Sequence, residues 1–353
     1  MRPSYMLIDL NRLEKNYKFL KEKVEGRELI CVVKADGYGH GALEITRKLY
    51  SLGSRFFAVA IFEEALELRK EFDDIDILVL GALDESDYEE AVEKNISITI
   101  HDYQSLDIYR EKCLKGLGKA HIKVDTGMHR IGFSVDEIEK YKEEIISIKP
   151  EGIFTHLAKA DEKDKSYSIY QIEMFKKAVD MFEYEFKYVH FANTAAIMEG
   201  DLSFSNTARA GIGLYGLSPF CEASKELHQI ASIKSKIVAI RFIDSNEGVS
   251  YSHKYISDSR RLIATIPLGY ADGYKRNMTN KAKAFLNGKI ISQVGTITMD
   301  QVMFDVTDVD CSIGDEIELL GDNISTDLLA ELSGTINYEV MTSFKKRLRR
   351  IYC

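Results

Sequence analysis

The chain has no apolar run approaching the ~20 residues that span a bilayer. Its opening, MRPSYMLIDLNRLEKN, carries no apolar signal core ahead of a small-residue cleavage site. Cysteine pairs are missing too: Cys31, Cys113, Cys221, Cys311 and Cys353 are scattered, with no CxxC and no metal spacing. Basic charge is in deficit, with 47 Lys and Arg against 56 Asp and Glu, for a net charge of −9. These absences argue against a membrane span, export, a disulfide framework or a metal cluster. They also argue against nucleic acid or an anionic membrane surface as partner. What is left is a cytoplasmic protein with reduced thiols. Its 353 residues, 45% hydrophobic and 29% charged, suffice for one large domain and a smaller one.

What is present is a regular alternation. β-branched, apolar strand candidates stand at 29–34 (LICVVK), 56–61 (FFAVAI), 75–80 (IDILVL), 96–100 (ISITI), 120–125 (AHIKVD), 151–157 (EGIFTHL), 186–193 (FKYVHFAN) and 207–213 (TARAGIG). Between them run charged segments of helical period, such as FEEALELRKEF and VDEIEKYKEEIISI. Eight strands alternating with helices predict an α/β fold, a (β/α)8 barrel over residues 1–228; an open doubly wound sheet is the alternative, which eight even repeats disfavour. After 229 the texture becomes short alternating strands, with an Asn287-Gly288 hairpin signal and a single helical stretch, STDLLAELSG. Residues 229–353 therefore read as a mostly-β domain, with no low-complexity linker before it.

Lys34 ends the first barrel strand, ahead of the glycine-rich run ADGYGHG. The C-terminal strand ends of such a barrel carry its active site. A partly desolvated lysine there has a lowered pKa and can form a Schiff base with a carbonyl, whereas a lone solvated lysine merely caps a strand.

The neighbours decide between these. RPSYMLIDLNRLEKN, VVKADGYGHG, KVDTGMHRIGF, FTHLAKADE, HFANTAAIM, ARAGIGLYGLSP, GVSYSHKY, PLGYADGYKR, VGTITMDQVMFDV and GTINYEV occur in this order, nearly end to end. The set resembles the alanine racemase family, barrel enzymes that use pyridoxal 5'-phosphate (PLP). The resemblance implies that Lys34 carries PLP and that Tyr38 contacts its phosphate. Asn193 and Thr194 of ANTAA, with Gly211 and Ile212 after strand eight, complete the phosphate site; a helix N-cap is the plain alternative for Thr194. Arg209 of ARAG stands at the pyridine nitrogen, where an always-charged guanidinium cannot accept that proton. His156 is its implied partner, although alone it reads equally as a core histidine. Arg130 approaches the PLP phenolic oxygen and the substrate carboxylate, and Lys123 matches a lysine that is often carbamylated to hold that arginine.

Racemisation needs proton exchange on both faces of the α carbon, hence a second base opposite Lys34. The resemblance assigns Tyr251, delivered by the other subunit of a homodimer; the residues alone do not choose between it and Tyr255. Met299 and Asp300 match a substrate-facing wall, and Tyr270 and Asp161 the entry channel. Three positions depart from the family pattern. Asp36-Gly37 follows Lys-Ala, where the family usually has an asparagine. Thr296 stands where an arginine is common. Lys346 stands where a tyrosine commonly limits substrate size. The implied activity is an isomerase, an alanine racemase, with a serine or broader amino-acid racemase as the alternative. More remote are a basic amino-acid decarboxylase, for which Cys311 is a superficial candidate, and a non-catalytic PLP carrier.

Overall fold

The computed structural model describes residues 2–113, 119–200, 202–220 and 224–353. Two compact units emerge: one of Glu14–Gly37 and Ala42–Leu214, the other of Met1–Leu13, Tyr38–Gly41 and Tyr215–Cys353. In chain order the first nine strands are β1 Tyr5–Ile8, β2 Glu28–Val32, β3 Phe56–Val59, β4 Asp76–Val79, β5 Ile98–Ile100, β6 Ala120–Lys123, β7 Gly152–Phe154, β8 Tyr188–His190 and β9 Thr207–Ala210. Strands β2 to β9 form one all-parallel sheet ordered β4-β3-β2-β9-β8-β7-β6-β5. A bridge between Leu78 and Ser97 links its outer strands, with Ser97 N–H donating to Ile77 O at 2.8 Å and Val79 N–H to Ser97 O at 2.9 Å. The sheet is thus an eight-stranded, nearly closed barrel. Strands such as FFAV are buried at every residue, as two covered faces require.

Parallel strands put all their C-terminal ends at one mouth. Lys34 follows β2, Lys123 ends β6, His156 follows β7, Asn193 follows β8 and Arg209 lies near the end of β9. Side-chain alternation places His121 and Lys123 on the same inward face of β6. Gly152, the register partner of His121, leaves room for that ring: a Cβ there would lie 2.2 Å from His121 Nδ1.

The second unit is built on a nine-stranded sheet. Its further strands are β10 Ala231–Lys236, β11 Ala239–Ile243, β12 Gly248–Val249, β13 Tyr255–Ile256, β14 Arg261–Ile266, β15 Lys283–Leu286, β16 Lys289–Gln293, β17 Val302–Asp305, β18 Glu316–Leu320 and β19 Arg349–Tyr352. The sheet order is β11-β14-β17-β16-β15-β18-β10-β1-β19, with β12 and β13 as a separate ribbon. The expected Asn287-Gly288 hairpin joins β15 to β16, both turn residues having positive φ. STDLLAELSG is the helix Thr326–Ser333, capped by the Ser325 hydroxyl and ended by left-handed Gly334.

One expectation needs correcting. A single division near residue 228 puts the N-terminus in the barrel, yet β1 lies in the second unit's sheet, antiparallel to β10 and parallel to β19. Met6 and Ile8 are fully buried there, each worth about 1.5–3 kcal/mol of apolar burial. The partners of β1 come from the far end of the chain, beyond the reach of local patterning. Tyr38–Gly41 belongs to the same unit. There Arg350 donates to Gly39 O and the Tyr352 hydroxyl donates to His40 O at 2.9 Å.

Gly39 has φ +82, and a Cβ would lie 2.5 Å from Met341 O, a backbone atom that cannot swing aside. We expect Gly39→Ala to lower the unfolding free energy by about 2–4 kcal/mol in urea titration. Gly26→Ala, also at positive φ but with nothing within 4 Å, should cost only about 1 kcal/mol.

Candidate active site

Lys34 is followed by a left-handed turn. Ala35 (φ 53°, ψ 51°), Asp36 (φ 53°, ψ 48°), Gly37 (φ 61°, ψ 46°) and Tyr38 (φ 52°) all have positive φ. For residues other than glycine this costs roughly 1–2 kcal/mol each. Side-chain acceptors hold the turn. The Glu64 carboxylate takes Ala35 N–H at 2.6 Å and Ala60 N–H at 2.8 Å, and Asp36 Oδ1 takes Ala42 N–H at 3.0 Å, at the start of helix Ala42–Ser51. An asparagine oxygen would serve as well as Asp36, which accounts for a neutral departure there. Desolvation and the charge of Arg130 lower the Lys34 pKa, with Arg209 adding to them against Glu64.

Arg209 is 3% exposed and carries the densest set of hydrogen bonds. Its Nη1 donates to His190 Nδ1 at 2.6 Å and His190 O at 3.2 Å. Its Nη2 serves Thr155 O at 2.8 Å, His156 Nδ1 at 3.1 Å and Phe191 O at 3.1 Å. Nε–H is the one donor of this guanidinium with no acceptor among the described residues. Burial and Arg130 lower the Arg209 pKa to about 9, which leaves it charged at neutral pH. Burial and Arg209 in turn push His156 and His190 well below the usual histidine range, so both rings are neutral.

Lys123 is 3% exposed, and Nζ donates to Val124 O at 2.8 Å. Burial first, then Arg209, bring its pKa down to about 7. Arg130 is exposed, on a turn whose backbone N–H groups at Gly127, Met128 and His129 all donate to Asp125 Oδ1. At β8 the N-cap of helix Thr194–Glu199 is Asn193, whose Oδ1 accepts from Ala196 N–H. Thr194 is therefore the first helical residue, and its Oγ1 accepts from Gly211 N–H at 3.0 Å, which leaves the hydroxyl proton for another acceptor. Ile212, 1% exposed, opens the following turn.

In the second unit Tyr38 packs against Tyr215 and Tyr338, and burial raises its pKa. Tyr251 is 71% exposed, whereas Tyr255 packs on the apolar cluster of Val249, Ile263, Val294 and Met303. That difference separates the two tyrosines in exposure, Tyr251 being largely open to solvent and Tyr255 partly buried. Its loop is strained at Ser250 (φ 62°), Ser252 (φ 58°) and His253 (φ 41°). Thr296 pins it, donating to Tyr251 O at 2.8 Å and accepting from the Ser250 hydroxyl at 2.7 Å through its own carbonyl. Met299 and Asp300 are exposed, Asp300 in an ion pair with Arg347. Tyr270 N–H donates to Thr298 O at 3.0 Å; Asp161 and Lys346 are exposed. Arg347 also lies 3.3 Å from Asp272, a buried carboxylate gripped by both terminal nitrogens of Arg2, so the basic tail is more than a solvated face. Burial and two neighbouring aspartates raise the Cys311 thiol pKa, the opposite of what a catalytic cysteine needs; Cys221 lies outside the described residues.

The sequence reading missed His190, His121 and Glu64. The i, i+2 spacing of His121 and Lys123 on one strand was the available signal. Glu64 acts on a turn whose handedness no local pattern announces.

The family pattern for the alanine racemase N-terminal domain matches residues 8–219, and that for the C-terminal domain matches residues 230–352. Among curated relatives, the alanine racemase of Clostridium novyi is 40% identical over 371 residues, covering 100% of this chain and 96% of that protein. That of Carboxydothermus hydrogenoformans is 37% identical and covers all of both chains. Among solved structures, the alanine racemase of E. faecalis superposes with a TM-score of 0.94 at 32% identity, covering 100% of this chain and 98% of the other. The Bartonella henselae enzyme, described with covalently bound pyridoxal phosphate, gives 0.94 at 30% identity over the whole of both chains.

The Lys123 amine yields a pH test. Below about 7 it is protonated in folded and unfolded chains alike, and the cost of burying the charge is felt in full. Between there and 10.5 the unfolded chain binds more protons, so stability rises with pH. We expect the unfolding free energy of the protein in carbonate-free buffer to climb by a few kcal/mol from pH 7 to pH 10. Lys123→Met should flatten most of that rise.

Proposed function

The chain belongs to the alanine racemase family, and we propose that it interconverts L- and D-alanine with Lys34 and Tyr251 of the partner subunit as the two bases. The observation that carries this reading is the meeting of two groups at one barrel mouth. One is a desolvated lysine of lowered pKa; the other is a buried arginine whose single unengaged donor is Nε–H. That donor set fits a pyridine nitrogen, and the Thr194 hydroxyl proton fits a phosphate oxygen. Lys34, Tyr38, Arg130, His156, Asn193, Thr194, Arg209, Gly211 and Ile212 would hold PLP. When bound, PLP supplies an electrophilic carbonyl and a conjugated ring that spreads negative charge from the α carbon.

The chain's own residues do the rest. The Lys34 amine, its pKa lowered by burial and cationic neighbours, takes or returns the α proton on one face. A phenol on the opposite face completes the inversion, and the exposure of Tyr251 supports its delivery to a neighbouring subunit. Arg209 stays charged and has no proton site to accept the pyridine's, which restrains side reactions such as transamination. Arg130, Met299, Asp300 and Tyr270 would orient the substrate. A half-neutral Lys123 amine can add carbon dioxide, and the resulting carbamate would hold Arg130. The exposed apolar groups Phe242, Ile256 and Met299 of the same unit as Tyr251 support a homodimer. Among the described residues no helix is long and apolar enough to cross a membrane, and the scattered free thiols support a cytoplasmic setting. A serine or broader specificity is the second reading, favoured by exposed Lys346 at the position where bulk limits substrate size.

A circular-dichroism assay on PLP-loaded enzyme should show both alanine enantiomers turning over; no turnover would overturn the assignment. Lys34→Ala should lose the absorbance of the covalently held cofactor together with activity. In deuterium oxide, Tyr251→Phe should lower net racemisation on the order of 10²–10⁴-fold, yet one enantiomer should still exchange its α proton. Small, equal losses of exchange for both enantiomers would mean that another group is the second base. Sedimentation should give a dimer.

A further inference from the structure

The buried guanidinium of Arg209 has no ion-pair partner among the described residues, and a charge in an interior is ordinarily paired. A line of polar groups leads away from it through the barrel. Arg209 Nη1 donates to His190 Nδ1 at 2.6 Å, and His190 Nε2 lies 2.9 Å from His121 Nδ1. His121 Nε2 lies 3.5 Å from Glu151 Oε1, which is an approach and not a made hydrogen bond, and it has no hydrogen-bond partner among the described residues. Glu151 also accepts from the Ser97 hydroxyl at 2.5 Å. His121, His190 and Ser97 are fully buried.

The direction of every link follows from the first. An arginine only donates, so His190 Nδ1 must offer its lone pair. Neutral His190 then carries its proton on Nε2 and donates it to His121 Nδ1. That fixes the remaining proton of His121 on Nε2, aimed at the carboxylate. The line runs one way, from cation to anion, with two imidazoles between. Phe154 stacks on His190 at 4.8 Å and Tyr188 on His121 at 5.6 Å, and Gly152 keeps the space open, so neither ring can turn aside.

We propose that Glu151 is the remote counter-charge of Arg209, and that Glu151, His121 and His190 are positioning residues that hold Nε–H of that arginine ready for an acceptor at the barrel mouth. The proposal rests on the racemase reading for its use but not for its test. With the carboxylate in place, His190 Nδ1 is the stronger acceptor and the guanidinium is locked. Without it, His121 Nε2–H faces no negative charge, and the polarisation that makes His190 Nδ1 the stronger acceptor is lost.

The test is ¹⁵N-histidine NMR of the full-length protein, with His121→Asn and His190→Asn used for assignment. We expect both rings as the neutral Nε2–H tautomer in the wild type, with the ¹⁵N shifts of His121 and His190 displaced in Glu151→Leu. Glu151→Gln, which keeps an acceptor but removes the charge, should retain the tautomers. In the PLP-loaded form it should shift the cofactor's absorbance maximum and lower kcat about tenfold, with KM for alanine within about twofold, and Glu151→Asp should recover part of that loss. Unchanged ¹⁵N shifts in Glu151→Leu would overturn the relay, as would an Nδ1–H tautomer of His190 in the wild type. If Glu151→Leu does not fold, an unaltered kcat and absorbance in Glu151→Gln would be equally decisive. An inactive wild type that still shows the expected tautomers would sink the racemase reading and leave the relay standing.

Discussion

A single cation, set where no carboxylate touches it, governs the chemistry of the barrel mouth. Arg209 is surrounded by neutral acceptors: three main-chain carbonyls and two imidazole nitrogens drawn from the ends of β7 and β8. Its charge helps lower the pKa of His156, His190, Lys34 and Lys123, each of them having burial as the larger influence. The arrangement tolerates little sliding. β8 and β9 meet with His190 opposite Thr207, and a slip of one residue would turn His190 outward and Arg209 away from its acceptors. The register of the barrel and the protonation of its mouth are one constraint seen at two scales.

Both functional segments also share a device of the backbone. The turn after Lys34 and the loop that carries Tyr251 hold non-glycine residues in left-handed conformations, and each is fastened by side chains from elsewhere in its own unit. Glu64 and Asp36 do this for the first, and Thr296 for the second. Strain of this kind persists only when the surroundings over-determine it, and it collects where a side chain must be aimed. Thr296, a departure from the family pattern, thus has a task in the fold that an arginine's long stem could not perform through a hydroxyl.

Much of this was legible in the chain. The eight barrel strands and the Asn287-Gly288 hairpin fell where β-branched runs and turn chemistry put them, because those signals are local. Strand β1 was not recognised, and residues 5–8 were grouped with the barrel, because YMLI is apolar throughout and shows no alternation; its half-buried pattern exists only once β10 and β19 flank it. Thr194 was read as a possible cap, yet Asn193 has the better side chain for it. Tyr251 and Tyr255 differ in which ring the apolar cluster of the β unit absorbs, a matter of tertiary packing. The imidazole line was hidden because strands β6 and β8 are far apart in sequence, and a lone histidine on a strand announces nothing about what faces it.

The parallel pairing of β1 with β19 joins residues 5–8 to residues 349–352. During synthesis the first strand is made well before β10 and β19, the two neighbours that flank it. The barrel, whose strands all lie between residues 28 and 210, has no such delay and can close while the ribosome is still working. Until β10 is made, the apolar side chains of Met6 and Ile8 have no sheet partner.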